Sequence, residues 1–359
     1  MQKEVRYMHI FDYSFLDNGL LPAEMVSVTA AVSSFKTISA VLKEKNPAVY
    51  EGLEKIARIQ SVKGSNAIEG IVTSDARLRE IVNGSSAPLN HNEAEIAGYR
   101  DALDLIHSGY GELTFSEPFV LQLHKMLLEY TGSEDAGRYK QEDNLIIEIS
   151  GGKRLVRFEP VPAKETQTAM QQLILAYCEA RDNPKINRLL LIPCVILDFL
   201  CIHPFADGNG RISRLLSLLL LYKNGYDIGR YISFEQQTNE AKDSYYAALQ
   251  YSSAGWHENK NEYFAFMQNF LSLLYVCYKE LDKRFAAVRS GTIRKGILIE
   301  QTVLNSILPV SKAQICERLQ EVSPTTVEAV LGKMVKNGAV RKIGSGRNTK
   351  YVNADRIRN

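Results

Sequence analysis

Twelve consecutive residues concentrate the reactive groups of this chain: His203-Pro204-Phe205-Ala206-Asp207-Gly208-Asn209-Gly210-Arg211-Ile212-Ser213-Arg214. The imidazole of His203 can take a proton near neutral pH. Asp207 offers a hard oxygen ligand of the kind Mg²⁺ uses alongside substrate phosphates. Gly208 and Gly210 let backbone N–H groups converge into an anion nest, and the N-terminus of a following helix adds partial positive charge. Arg211 and Arg214, three residues apart, put two planar guanidiniums on roughly one face of that helix. These residue types suit phosphate chemistry. The plain alternative is a helix–loop–helix turn whose charges are only solvated.

Two apolar runs must position this loop. Leu189-Leu190-Leu191-Ile192 through Phe199-Leu200-Cys201-Ile202 is long enough for a buried helix ahead of it. Leu215-Leu216-Ser217-Leu218-Leu219-Leu220-Leu221 forms another behind it, with Asn224-Gly225 as its stop. The loop itself resembles the Fic-family signature H-P-F-x-(D/E)-G-N-G-R-x-x-R and matches it at every specified position. That resemblance implies transfer of AMP from ATP to a Ser, Thr or Tyr hydroxyl of a protein target. It implies His203 as the base and Asp207 as the Mg²⁺ ligand. Gly208, Asn209 and Gly210 would line the phosphate nest, and Arg211 and Arg214 would hold the β- and γ-phosphates.

Ser61-Val62-Lys63-Gly64-Ser65-Asn66-Ala67-Ile68-Glu69-Gly70 contains a second pattern. Ser65, Glu69 and Gly70 resemble the inhibitory signature (S/T)-x-x-x-E-(G/N) of many Fic proteins. The implied device is a Glu69 carboxylate paired bidentately with Arg214, in the place of a phosphate. The alternative is a helix end capped by Gly70 with Glu69 solvated. The resemblance also leaves open removal of AMP from a modified protein, with Glu69 positioning water. A further alternative is a nucleotide-sensing, DNA-binding regulator, against which the retained His203 speaks.

Along the chain, residues 1–20 are aromatic-rich (Tyr7, Phe11, Tyr13, Phe15) and read as an arm packed on the body. From Pro22 to Lys63 helical patterns dominate, and Pro47 divides them into two helices. Residues 93–108 read as an exposed amphipathic helix, and Pro118 to Tyr130 as another. His124 in that helix reads as a satisfied core histidine. After Gly137-Arg138-Tyr139-Lys140, the strands Leu145–Ile149 and Arg154–Phe158 flank the turn Ser150-Gly151-Gly152-Lys153. By position this hairpin resembles the Fic flap, where Asn144, Leu145, Ile146 and Ile147 would hold a target segment by strand addition. Glu165 to Asp182 is a further helix. Thr238 to Ser253 carries Tyr245 and Tyr246, which fill core and groove; in Fic proteins a Tyr-Tyr here lies beside the adenosine. Trp256 and the helix Tyr263–Leu281 close the domain.

Residues 290–359 differ in charge, with 12 Lys and Arg against five Asp and Glu, whereas the whole chain carries +2. Helices Ile299–Ile307, Lys312–Leu319 and Thr325–Lys336 precede a small hairpin whose tip is Gly344–Asn348. This resembles a winged helix, open to duplex DNA, to a protein, or to a second copy of the chain. The fold class is therefore mainly α: a Fic helical domain with a β-hairpin flap and a C-terminal winged helix. The divisions are 1–110 with the inhibitory segment at about 61–70, then 111–289, then 290–359, with Ser290-Gly291 as the break. At 45% hydrophobic and 23% charged, the 359 residues have an ordinary globular composition. No apolar run reads as a membrane span, and the opening residues form no signal peptide. Five cysteines, odd in number and without CxxC spacing, favour reduced thiols and a cytoplasmic setting.

Overall fold

The computed structural model describes residues 9–150, 153–289, 295–304, 306, 308–319 and 322–354. They form two compact units, one containing residues up to Thr73 and Leu78–Lys279, the other Ser74–Arg77 and the residues from Glu280 on. The helices Asp75–Val82 and Phe264–Arg289, given with the first unit, thus each have one end in the second. Ser290-Gly291, Tyr7, Ile307 and the turn glycines Gly151 and Gly152 lie outside the described residues.

The first unit opens with a short turn, α1 (Phe15–Asn18), then α2 (Ala23–Lys45) and α3 (Pro47–Ile68). Pro47 stands at the first position of α3, where its missing N–H costs nothing. Next come α4 (Asp75–Val82), α5 (His91–Gly109), α6 (Glu117–Leu127), the hairpin β1 (Ile146–Ser150) and β2 (Lys153–Phe158), and α7 (Ala163–Asp182). The core pair is α8 (Arg188–Ile202) and α9 (Asn209–Lys223), with the reactive loop between them. After these come α10 (Phe234–Glu240), α11 (Lys242–Ser253) and α12 (Phe264–Arg289).

Helix α8 is buried on all sides from Leu189 to Ile202, as an all-apolar helix must be. Asn187 caps it by accepting the Leu189 N–H at 2.9 Å. Its one acidic residue, Asp198, is fully buried and accepts from Tyr13 Oη (2.7 Å), Trp256 Nε1 (2.7 Å) and Tyr263 Oη (3.1 Å). Asp198 thus ties the N-terminal arm to the centre of the unit.

Helix α5 corrects one expectation. It is a core helix, with Glu93 through Tyr99, Ala102, Leu103, Ile106 and His107 buried. Its carboxylates looked like a solvated face, but Glu93 accepts from Thr73 Oγ1 (3.0 Å) and Leu89 N–H (2.9 Å). Gly98 admits α6 so closely that a Cβ there would sit 2.1 Å from the Leu127 carbonyl oxygen. Helix α2 corrects another. By length and composition alone it could cross a membrane. Here its Lys36 donates to the Asn224 carbonyl (2.8 Å) and its Lys43 pairs with Asp227 (2.8 Å), docking it on the body. Within Thr238–Ser253, Ala241 separates α10 from α11, and α11 carries Tyr245 and Tyr246.

The second unit contains α13 (Lys295–Leu304), β3 (Val310–Ser311), α14 (Lys312–Arg318), α15 (Pro324–Lys336), β4 (Val340–Ile343) and β5 (Lys350–Asn353). Its antiparallel sheet has the order β3-β5-β4. Ile299, Val303, Val310, Ile315, Val327, Leu331, Met334 and Val340 are among the residues of its core. Strand β3 was invisible in the sequence because two residues carry no alternation.

Candidate active site

Helix α8 ends on His203, which adopts left-handed dihedrals (φ 51°, ψ 61°). That conformation costs a non-glycine residue about 1–2 kcal/mol and is held by the His203 N–H donating to Phe199 O at 3.0 Å. The ring Nδ1 lies 3.2 Å from the Leu200 carbonyl. A carbonyl only accepts, so Nδ1 carries the hydrogen and Nε2 keeps its lone pair. Burial pushes the imidazole pKa down to about 4, and the neighbouring Lys140 charge adds to this. His203 is therefore neutral and basic at Nε2 near pH 7.

The loop beyond it is fixed from three sides. Asn209 accepts the Phe205 N–H (2.9 Å) and returns an amide hydrogen to the Phe205 carbonyl (2.8 Å). Its side chain therefore shapes the loop, while its backbone belongs to the α9 N-terminus. Phe205 stacks on His124 at 3.8 Å. His124 Nδ1 accepts the Gly137 N–H (3.1 Å), so its Nε2–H donates to the Asp207 carbonyl (3.2 Å). The structural role expected of His124 is what the geometry shows. Gly208 caps α9 at φ 81°, and a Cβ there would strike Leu127 Cδ2 at 2.8 Å. Asp207 meanwhile projects a carboxylate that is 72% exposed.

The third side is a lysine that no sequence pattern singles out. Lys140 donates through Nζ to Asn144 Oδ1 (2.8 Å) and Ile202 O (3.3 Å), and through its backbone to Pro204 O (2.9 Å). Asn144 in turn donates to Phe205 O at 3.2 Å. Asn144 thus anchors the hairpin base to the loop, while Leu145 (52% exposed) and Ile147 (46%) face outward and Ile146 is half-buried.

The two arginines are placed differently. Arg214 donates through Nε to Ser65 Oγ (2.8 Å), and through Nη2 to Ser65 O (3.0 Å) and Glu69 Oε1 (2.7 Å). The Glu69–Arg214 pair exists, but it rests on one oxygen rather than two, because Ser65 takes the Nε edge of the guanidinium. Glu69 sits where α3 ends. Gly70, at φ 79°, donates to Ala67 O (3.1 Å), and Ile71 donates to Asn66 O (3.0 Å), the Schellman pattern. The capped helix end and the ion pair are thus one feature. Gly210 completes it, since a Cβ there would lie 2.3 Å from Glu69 Oε1. Arg211, by contrast, is 1% exposed and bonded to Glu95 and Asp207. Tyr245 is buried, whereas Tyr246 is half-buried and meets it edge-on at 5.5 Å. Burial and the nearby Glu69 charge raise the Tyr246 hydroxyl to about 12.

Residues 114–221 match the Fic/DOC family model. This segment is a Fic domain. The chain is 26% identical over 179 residues to the protein adenylyltransferase Fic of Nematostella vectensis, covering 48% of this chain and 39% of the relative. It is 28% identical over 207 residues to the Culex quinquefasciatus protein of that name, covering 55% and 37%. The chain thus spans about two fifths of the length of these curated relatives. A Fic family protein from Desulfovibrio desulfuricans G20 shares the fold across 93% of this chain and 97% of its own, with TM-score 0.61 and 19% identity. A Fic domain containing signaling protein from Bacteroides thetaiotaomicron VPI-5482 does so over 72% and 95%, with TM-score 0.57 and 18% identity.

The Fic loop sits against a rigid α3. A Cβ on Gly64 would lie 2.8 Å from Gln236 Cα, so the backbones of α3 and α10 touch. Ser61 donates to the buried carboxylate of Glu235 (2.8 Å), which also accepts from Tyr99 Oη (3.1 Å). Lys242 Nζ closes the far end of α3 on Ile68 O at 2.5 Å. Gly64→Val is expected to destabilise the protein by about 1–3 kcal/mol or more, the range for overpacking, read as a lowered thermal midpoint. An unchanged midpoint would mean the two backbones are free to separate.

Proposed function

We propose that this protein transfers AMP from ATP to a Ser, Thr or Tyr hydroxyl of a protein target or of itself, and that Glu69 restrains the reaction. One observation carries it: a neutral imidazole with a free Nε2 stands at the entrance to a Gly-lined helix N-terminus, within one loop. His203 Nε2 takes the hydroxyl proton as the oxygen attacks the α-phosphorus and the bond to pyrophosphate breaks. The α9 N-terminus stabilises the negative charge that accumulates on the phosphate oxygens. Arg214, once parted from Glu69, receives the γ-phosphate.

The donor set suits Mg²⁺. No cluster of three or more His, Cys, Asp or Glu occurs among the described residues, so a cation here would rest on the exposed Asp207 together with phosphates, the Mg²⁺ pattern. Bound there, Mg²⁺ would neutralise phosphate charge. Asp207→Ala is expected to abolish the Mg²⁺-dependent part of ATP binding, measured by titration calorimetry with and without the metal. A variant that keeps its full metal response would remove Asp207 from this role.

The hairpin is read as the platform for the target. Its two strands pair with each other alone among the described residues, and Leu145, Ile147, Leu155 and Val156 are about half exposed. A target segment could add to such an edge. The second unit is read as a winged helix that contacts duplex DNA through the basic positions Lys333, Lys336, Arg341, Lys342 and Lys350. Glu328 on α15 is offset by Lys312. Binding of the whole chain to duplex should weaken steeply with salt; no binding at low salt would favour a protein partner.

A further inference from the structure

We propose that Glu95, on α5, is a positioning residue that keeps Asp207 able to hold a cation by offsetting the charge of Arg211. This rests on the nucleotidyl-transfer reading above. Arg211 is almost fully buried and touches two carboxylates, with Nη1 on Glu95 Oε2 and Nη2 on Asp207 Oδ2 at 3.0 Å. The exposures differ sharply. The Glu95 side chain is 7% exposed, while that of Asp207 is 72% exposed. Glu95 is therefore the inward carboxylate and Asp207 the outward one.

Net charge sets the affinity for a cation. One guanidinium between two carboxylates leaves a net charge of about −1, and its outer end is the exposed oxygen pair of Asp207. Without the Glu95 charge, Arg211 would bind Asp207 as a closed ion pair with no net charge. Its attraction for a cation would then fall although Asp207 itself is untouched. Glu95 also fixes where Asp207 points. Its Oε1 is engaged by His91 Nε2 at 3.1 Å and its Oε2 by Arg211, so the Arg211 head is held from behind. Partners one shell behind a metal ligand typically alter metal affinity by about 10–100-fold.

The alternative is that Glu95–Arg211 only ties α5 to α9, in which case stability alone would change. The test is Mn²⁺ binding to the full chain in the presence of ATP, read as the loss of free Mn²⁺ signal in electron paramagnetic resonance beyond that caused by the same ATP without protein, with ATP affinity measured separately without metal. Glu95→Gln should bind Mn²⁺ about 10–100-fold more weakly while metal-free ATP affinity changes little. The double variant Glu95→Gln/Arg211→Met leaves no lone buried charge and restores the net −1 at Asp207. Normalised to its own metal-free ATP affinity, because Arg211 is also expected to hold a phosphate, its Mn²⁺ binding should stay within about tenfold of wild type, and it decides the matter if Glu95→Gln alone does not fold. Wild-type Mn²⁺ affinity in folded Glu95→Gln overturns the role of Glu95 and leaves the nucleotide reading standing. A double variant no better than the single overturns the offsetting of charge by Glu95. If the wild-type chain binds no Mn²⁺ with ATP, both readings fall together.

Discussion

His203→Ala is expected to lower AMP transfer by roughly 10²–10⁴-fold, the contribution of a positioned general base, while ATP affinity stays close to wild type. The separation comes from the geometry. The α9 N-terminus, Asp207 and Arg214 do not depend on the imidazole, whose own ring contact is with the Leu200 carbonyl. The same environment sets the pH dependence. Burial lowers His203 to about 4 from an ordinary value near 6.5, so Nε2 stays unprotonated until the pH approaches 4. The kcat/KM profile should therefore show no inflection of this group near 6.5 and should fall only toward pH 4. A base lost near 6.5 would mean that the imidazole is not desolvated. Stability has the same sign: between about 6.5 and 4 the unfolded chain binds the proton that the folded chain refuses, so His203 costs stability as the pH falls through that window. Substantial labelling by His203→Ala would remove it from the mechanism.

Glu69→Gly should act in the opposite direction. Glu69 Oε1 lies 2.7 Å from Arg214 Nη2, in space that the absent Cβ of Gly210 leaves open. In the proposed reading this carboxylate stands where the γ-phosphate would meet Arg214. ATP entering beside it would bind with its α-phosphate displaced, and about 1 Å of misplacement can cost on the order of 10²-fold in rate. Glu69→Gly should therefore raise transfer on that order with a smaller change in ATP affinity. The pair is 31% exposed on the Glu69 side and 3% on the Arg214 side. It should resist salt better than a surface pair, so high ionic strength alone should not mimic the variant. Arg214→Ala should lower activity even combined with Glu69→Gly, since the phosphate contact itself is lost. Removal of AMP from a modified target would show the reverse dependence on Glu69.

Much of this site was legible because it is local. His203 through Arg214 are twelve consecutive residues, and the spacing that puts Gly208 and Gly210 beside a carboxylate and two guanidiniums also starts α9 at Asn209. Glu69 was legible for a related reason, since Ser65, Glu69 and Gly70 lie within six residues at the end of α3, whose end geometry depends on Gly70. The contacts that were not legible are long-range. Glu95 is more than a hundred positions from Arg211, and with Glu93 it looked like a solvated face; nothing local says that a carboxylate has a buried partner. Lys140 and Lys242 were hidden for the same reason, each meeting backbone carbonyls from distant segments. The bidentate pairing expected for Glu69 failed because Ser65 competes for the same guanidinium, a contest that spacing along one helix does not reveal. Division of the residues before and after position 110 into separate regions is likewise not apparent in the packing, since α3 and α5 belong to the same compact unit as α8 and α9.

The most direct measurement is labelling with α-labelled ATP and Mg²⁺, run on wild type, Glu69→Gly and Glu69→Gly/His203→Ala, each alone and with a cell lysate. The expected result is weak label in wild type, strong label in Glu69→Gly, and none in the double variant, with γ-labelled ATP giving no label in any of them. Label from the γ position, or equal α-label in all three proteins, would contradict AMP transfer by His203 under restraint by Glu69.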